Sequence, residues 1–196
     1  MPDRKLLKFE KLQLDHVRSM VKWGRHDNPL LFDYNFVQKS EDEFKLFYLD
    51  KTLSPFNRYY AVIYDGEVIG YLGIKKINIL TKNSTLGFVL SPDYVDGGFG
   101  TVVLSEFLRI YFTSFNMKKM VLEVAAYNPR AKRVYEKMGF VEAGYYLDRY
   151  PNDPPPENNP YYQEHKDVFV YKDGILYNYI YRMELRKEDF DFEIHS

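Results

Sequence analysis

Cysteine is absent from the 196 residues, which excludes disulfides, cysteine nucleophiles and thiolate metal sites. That absence agrees with a reducing, cytoplasmic setting. No uninterrupted apolar run approaches the roughly 18 residues of a membrane helix. The start, MPDRKLLKFEKLQLDH, carries charges throughout and lacks the apolar stretch of a secretory signal. Neither a membrane partner nor export is expected, and Asn83-Ser84-Thr85 is a chance sequon. Neither sign of charge is in excess: 27 Lys and Arg against 28 Asp and Glu leave −1, so no whole-chain attraction to nucleic acid is expected. His16, His26, His165 and His195 lie far apart, and no metal site is expected. The chain has no G-x-x-x-x-G-K-[ST] loop, G-x-S-x-G elbow or H-E-x-x-H pair. Gly97, Gly98 and Gly100 do not complete G-x-G-x-x-G, because position 103 is Val. What is abundant is aromatic: 19 Tyr and 15 Phe, a supply suited to an amphipathic cleft or a subunit interface.

The pattern predicts one domain over 1–196. A strand near Leu6–Leu12 leads to a helix capped by Asp15 and running to about Trp23. Residues 25–39 read as an irregular loop. Ser40 and Glu43 form a capping box for a helix ending near Leu53. Tyr59–Tyr64 and Val68–Ile77 form a hairpin around Asp65-Gly66. Leu86–Leu90 is a further strand. After DYVDGGFG comes about 15 residues of helical pattern, then a strand at Met120–Ala125. A helix over Asn128–Met138 follows, with Asn128 at its cap, Pro129 at its first position and Gly139 past its end. Phe140–Leu147 returns to strand. A Pro-rich loop at 151–160 holds five of the ten prolines. A C-terminal strand pair lies at about 163–186, turning around Lys172-Asp173-Gly174. Strand, Gly loop, helix, strand, helix, strand implies an α/β layer with at least one parallel pairing.

A glycine turn between a strand and a helix favours an anion, because exposed N–H groups and the positive helix end converge there. A tight turn needing positive φ is the alternative for the glycines alone. The second motif shifts the balance toward the anion reading. The run from Leu122 to Phe140 resembles the GNAT N-acetyltransferase superfamily, whose N-x-x-A-x-x-x-Y-x-x-x-G-F pattern is matched at Asn128, Ala131, Tyr135, Gly139 and Phe140. Pro92 to Thr101 is similar to the same family's Q/R-x-x-G-x-G/A acetyl-CoA loop. Both motifs stand in the family's order and spacing, and the resemblance covers roughly Tyr59 to Tyr146. The bacterial ribosomal-protein-type branch is the most similar. The resemblance implies an α/β (α+β) fold with a mixed central sheet flanked by helices on both faces.

It also implies transfer of acetyl from acetyl-CoA to a primary amine: a protein N-terminus, a polyamine or a small metabolite. Acetyl-CoA would meet Val89 and Leu90 on the strand and Val95, Asp96, Gly97, Gly98, Phe99, Gly100 and Thr101 in the turn. Asn128 and Arg130 would complete that site. Val95 stands where the family carries Gln or Arg. Asp96 either adds negative charge beside the pyrophosphate or turns away to cap the long helix.

An amine with a pKa near 10.4 is neutral in only about one molecule in a few thousand at pH 7, so a carboxylate that takes its proton is useful. Glu123 interrupts an apolar strand on the face opposite Leu122 and Val124, twelve residues before Tyr135. Family likeness makes Glu123 the general base and Tyr135 the general acid at the sulfur. The plain alternatives are a salt-bridged strand carboxylate and a core tyrosine. Asp33, Tyr34 and Tyr146, in the segments that vary within the family, are the acceptor candidates, since acids and tyrosines suit a cationic amine. Those segments serve a homodimer contact equally well. The rival function is a non-catalytic acyl-CoA-binding module, favoured by Val95 and Asp96 and disfavoured by Glu123 and Tyr135.

Overall fold

The computed structural model describes residues 2–192, so His195 lies outside the described residues. The elements run β1 (Leu7–Lys11), α1 (Leu14–Ser19), α2 (Glu41–Thr52), β2 (Arg58–Tyr64), β3 (Glu67–Asn78), β4 (Asn83–Leu90), α3 (Phe99–Thr113) and β5 (Lys119–Ala125). Then come α4 (Pro129–Lys137), β6 (Val141–Arg149), α5 (Pro160–Glu164), β7 (Phe169–Lys172) and β8 (Ile175–Arg186). Eight strands form one sheet in the order β1-β2-β3-β4-β5-β8-β6, with β7 paired to β8. Every pairing is antiparallel except β4 with β5.

Side-chain alternation sorts the two faces. In β2, Tyr60 and Val62 join the core beneath α3 and α4, while Tyr59, Ala61 and Ile63 join a second core with α1 and α2. Helices therefore cover both faces, as the family resemblance implied. Asp65-Gly66 makes the expected two-residue hairpin with both residues at positive φ, and Asp173-Gly174 repeats it between β7 and β8. The Ser40 capping box is also present: Ser40 Oγ accepts from the Glu43 N–H, and Glu43 accepts from the Ser40 N–H at 2.8 Å.

Two expectations near the N-terminus are corrected. Asp15 does not cap α1. Gln13 occupies the cap, its N–H donating to His16 Nδ1 at 3.2 Å, and Asp15 in the first turn pairs instead with Arg18. The helix also ends at Ser19, and a 3-10 turn carries the chain over Met20–Lys22. The loop 25–39 contains a 3-10 helix, Pro29–Tyr34, capped by Asn28, whose side chain accepts from the Leu30 N–H. Asn28-Pro29 thus repeats the punctuation that opens α4 at Asn128-Pro129.

The parallel pair positions everything that follows. β4 and β5 are in register only from Asn83 opposite Lys119 to Thr85 opposite Val121. Beyond that point β4 continues against β3 alone and β5 against β8 alone. The two strands splay into a V. Its closed end is pinned by the buried Tyr111 of α3. That hydroxyl donates to the Lys119 carbonyl at 2.7 Å and lies 2.8 Å from Ser84 Oγ, so one side chain ties β5 to β4. β8 is paired on both sides, by β5 and β6, and β7 extends the β5 side beyond the end of that strand. β6 is the outer strand and is exposed along its length.

Candidate active site

A cavity of about 590 Å³ opens through the V between β4 and β5. Backbone groups of Leu86–Leu90 and Leu122–Ala125 that face across the gap have no strand to pair with, which leaves donors and acceptors available to a ligand. Two halves of the lining differ in chemistry.

On the α3 and α4 side, the wall is built by Val89, Leu90, Val95, Asp96, Gly98, Gly100, Thr101, Asn128 and Arg130. Gly98 is the N-cap of α3 at φ +79°, a conformation that suits glycine, and its carbonyl accepts from the Val102 N–H at 3.2 Å. A side chain at Gly98 would meet nothing closer than 3.9 Å, so the space over the first turn is open. The N–H groups of that turn have no partner within the helix. Arg130, Arg133 and Lys137 fall at i, i+3 and i+7 of α4 and also line the cavity. Open backbone donors, a helix N-terminus and three cations fit the phosphates of a coenzyme A thioester.

Asp96 does not cap α3. It sits at φ +67° with an exposed carboxylate whose Oδ2 lies 3.4 Å from Arg130 Nη1. The acid beside the turn is thus offset by the helix that faces it. Gly97 and Phe99 do not line the cavity: the Phe99 ring packs edge-on against Tyr64 and Tyr94, each with centroids at 5.0 Å. Asn128 is buried, and its side chain accepts from the Ala131 N–H at 3.1 Å. Burial, followed by the Arg130 charge, lowers His26 below the ordinary histidine range and keeps it neutral.

Across the V lie Tyr34, Lys51, Tyr59, Tyr71, Lys75 and Glu123. Glu123 is exposed, whereas Leu122 and Val124 on the opposite face are buried at 1% and 4%. Tyr135 enters from α4 and packs on Phe140 with centroids at 5.9 Å. Glu123 and Tyr135 therefore approach the cavity from opposite sides of the sheet. Burial, then the neighbouring Tyr34, pushes the Tyr135 phenol well above its ordinary value. Tyr34 is itself pushed up to about 12 by burial and Asp33, and its hydroxyl has the Asn128 side chain as a partner. Asp33 does not line the cavity, and burial raises its carboxyl above the usual carboxylate range. Tyr146 stands outside the lining, beside Glu123, and burial and then that carboxylate raise its phenol.

Sequence reasoning missed Tyr59, Tyr71, Lys51 and Lys75. The first two carried a signal, being aromatic residues on the inward face of β2 and β3. Tyr59 crosses directly over Gly73, where a Cβ would stand 2.4 Å from the Tyr59 ring, so glycine there admits the ring.

The sequence pattern of the Acetyltransferase (GNAT) family matches residues 20–140, more than half of the chain. The spermidine N(1)-acetyltransferase of Vibrio cholerae serotype O1 is 25% identical over 146 residues, covering 74% of this chain and 84% of that protein. An N-alpha-acetyltransferase of Saccharolobus solfataricus is 23% identical over 150 residues, covering 69% and 83%. The fold is shared with the crystal structure of spermidine N-acetyltransferase from Vibrio cholerae in complex with CoA and spermine, at a TM-score of 0.69 and 21% identity over 94% of this chain and 98% of that one. The splayed strands, the glycine turn and the Asn128–Phe140 pattern agree with these likenesses, and the chain belongs to the GNAT acetyltransferase family.

Proposed function

We propose that the protein transfers an acetyl group from acetyl-CoA to a primary amine within the V between β4 and β5. The observation that carries this reading is the placement of Glu123 and Tyr135 on opposite sides of one cavity whose far wall suits the phosphates of coenzyme A. Acetyl-CoA supplies the activated carbonyl. Val89, Leu90, the Val95–Thr101 turn, Asn128 and Arg130 bind and orient it, with Arg133 and Lys137 adding positive charge. A backbone N–H left unpaired by the splay polarises the carbonyl.

The amine arrives on the Glu123 side. As its nitrogen bonds to the carbonyl carbon, Glu123 takes the proton the nitrogen must shed, and the carbon–sulfur bond breaks. Tyr135 donates to the sulfur. Its raised pKa means that it holds its proton at neutral pH, so it is always ready to donate. It is a weaker acid than a thiol, whose pKa is about 8.5, so it keeps its proton and stabilises the departing thiolate by a hydrogen bond, and the thiolate takes its proton from solvent. Tyr34 and Tyr146, from the Pro29–Tyr34 turn and β6, border the acceptor. The relatives named as spermidine and N-alpha acetyltransferases support an amine nucleophile.

Calorimetric titration with acetyl-CoA, followed by thiol release with a panel of amines, tests the reading. Saturable binding and amine-dependent release are expected. Binding without release for any amine would favour the rival, a non-catalytic acyl-CoA-binding module.

A further inference from the structure

Lys75 and Glu123 are brought together by register. Lys75 on β3 pairs with Thr85 on β4, which pairs with Val121 on β5, so their side chains share one face. Glu123 is two residues on from Val121 and projects to that same face. Lys75 and Glu123 thus reach the acceptor half from opposite arms of the V, and the Glu123 carboxylate favours the charged form of Lys75. Lys51 of α2 is the second cation there. Its ammonium lies 5.0 Å over the Phe47 ring and 2.8 Å from Asp50. Lys75 is half-buried, its stem crosses Gly87, and its ammonium has no ion-pair partner among the described residues.

The acceptor half therefore lines the cavity with Lys75, Lys51 and Glu123; Lys51 is offset by Asp50, which leaves the Lys75 ammonium and the Glu123 carboxylate. The other lining carboxylate, Asp96, is across the cavity on Arg130. Asp33 is withdrawn from the lining. A polyamine brings several positive charges, each needing a carboxylate or water once enclosed, and here the lining offers Glu123 for one of them and the Lys75 ammonium against the next. A half-buried ammonium without a partner is instead suited to an anion.

We propose that the acceptor is zwitterionic: a small primary amine bearing a carboxylate or phosphate a few bonds away, its anion held by Lys75 while Glu123 receives the amine. This inference rests on the acetyltransferase reading.

The test measures kcat/KM with acetyl-CoA for spermidine, for amino-carboxylates of graded length from glycine to 6-aminohexanoate, for phosphoethanolamine, and for uncharged-tail amines such as butylamine. A carboxylate or phosphate acceptor is expected to exceed its uncharged counterpart by roughly tenfold or more, the worth of one charge-assisted contact. The comparison of phosphoethanolamine with the amino-carboxylates tells which anion is used. Lys75→Met should abolish that preference and raise activity toward spermidine, Lys75→Arg should keep it, and both should bind acetyl-CoA as the parent does. Wild-type preference for spermidine, or a preference unchanged in Lys75→Met, overturns the proposal while leaving the acetyltransferase reading intact. If no amine turns over, direct binding to the CoA complex decides: binding of spermidine, or of neither class, overturns it. Failure of acetyl-CoA itself to bind overturns the underlying reading.

Discussion

Tyr135→Phe separates chemistry from packing. The Tyr135 side chain is a core element by burial, with 8% of the residue exposed and its ring on Phe140. Its hydroxyl has no hydrogen bond to a described residue, and it faces the cavity. Phenylalanine keeps the ring and its contacts and deletes only that oxygen. Folding stability should change by no more than about 0.5 kcal/mol, which for a chain of this length moves the unfolding midpoint by roughly 2 °C. Catalysis should suffer more. A hydrogen bond to a charged group in a shielded site is worth about 1.5–3 kcal/mol, and 1.36 kcal/mol is tenfold in rate, so kcat should fall roughly 10- to 200-fold. Affinity for acetyl-CoA should be nearly unchanged, because the proposed phosphate site is at the α3 turn and α4. Steady-state thiol release, a calorimetric titration and a thermal melt read the three quantities. An unchanged kcat would refute the role at sulfur. A midpoint drop of many degrees would show a packing role instead.

Other outcomes follow from the same geometry. Glu123→Gln should be most defective at low pH, where neutral amine is scarce, and should recover as pH approaches the pKa of the amine; wild-type rates across that range would remove the base role. Gly98→Val forces a branched side chain to φ +79° over the open turn and should abolish acetyl-CoA binding in calorimetry while circular dichroism stays native. Tyr111→Phe removes the tie between Ser84 and Lys119 and should cost roughly 1–3 kcal/mol in denaturant unfolding. Burial raises Tyr34, Tyr71, Tyr127 and Tyr135 above their ordinary 10.0, so the unfolded chain loses these protons first. Stability from this source is complete below about pH 10 and should fall as pH climbs beyond it, read as a declining melting midpoint.

Much of the fold was legible because its signals are local. Asp65-Gly66, Ser40 with Glu43, and Asn128-Pro129 each fix a turn or cap within a few residues, and each appears as expected. Asp15 misled because an acid near a helix start serves either the cap or the first turn, and His16 gave Gln13 the cap. The candidate site was legible mainly on one wall, and on the other only Tyr34 and Glu123 stood out. The glycine turn and α4 are contiguous motifs, whereas the other wall joins β2, β3 and β5 through strand register. Lys75 and Glu123 are 48 positions apart, and nothing between them shows that Thr85 and Val121 place them on one face. The V itself is a place where pairing stops, which no local pattern encodes. Asp96 looked like an obstacle to phosphate because its partner, Arg130, lies 34 positions away.

Product analysis tests the central claim most directly. The protein is incubated with acetyl-CoA and an amine that supports thiol release, and the N-acetylated product is quantified by mass spectrometry against the free coenzyme A formed. The account predicts one acetylated nitrogen for each thiol released, with both signals lost together in Gly98→Val. Thiol release without N-acetylated amine would contradict it, because the cavity would then deliver the acetyl group to water.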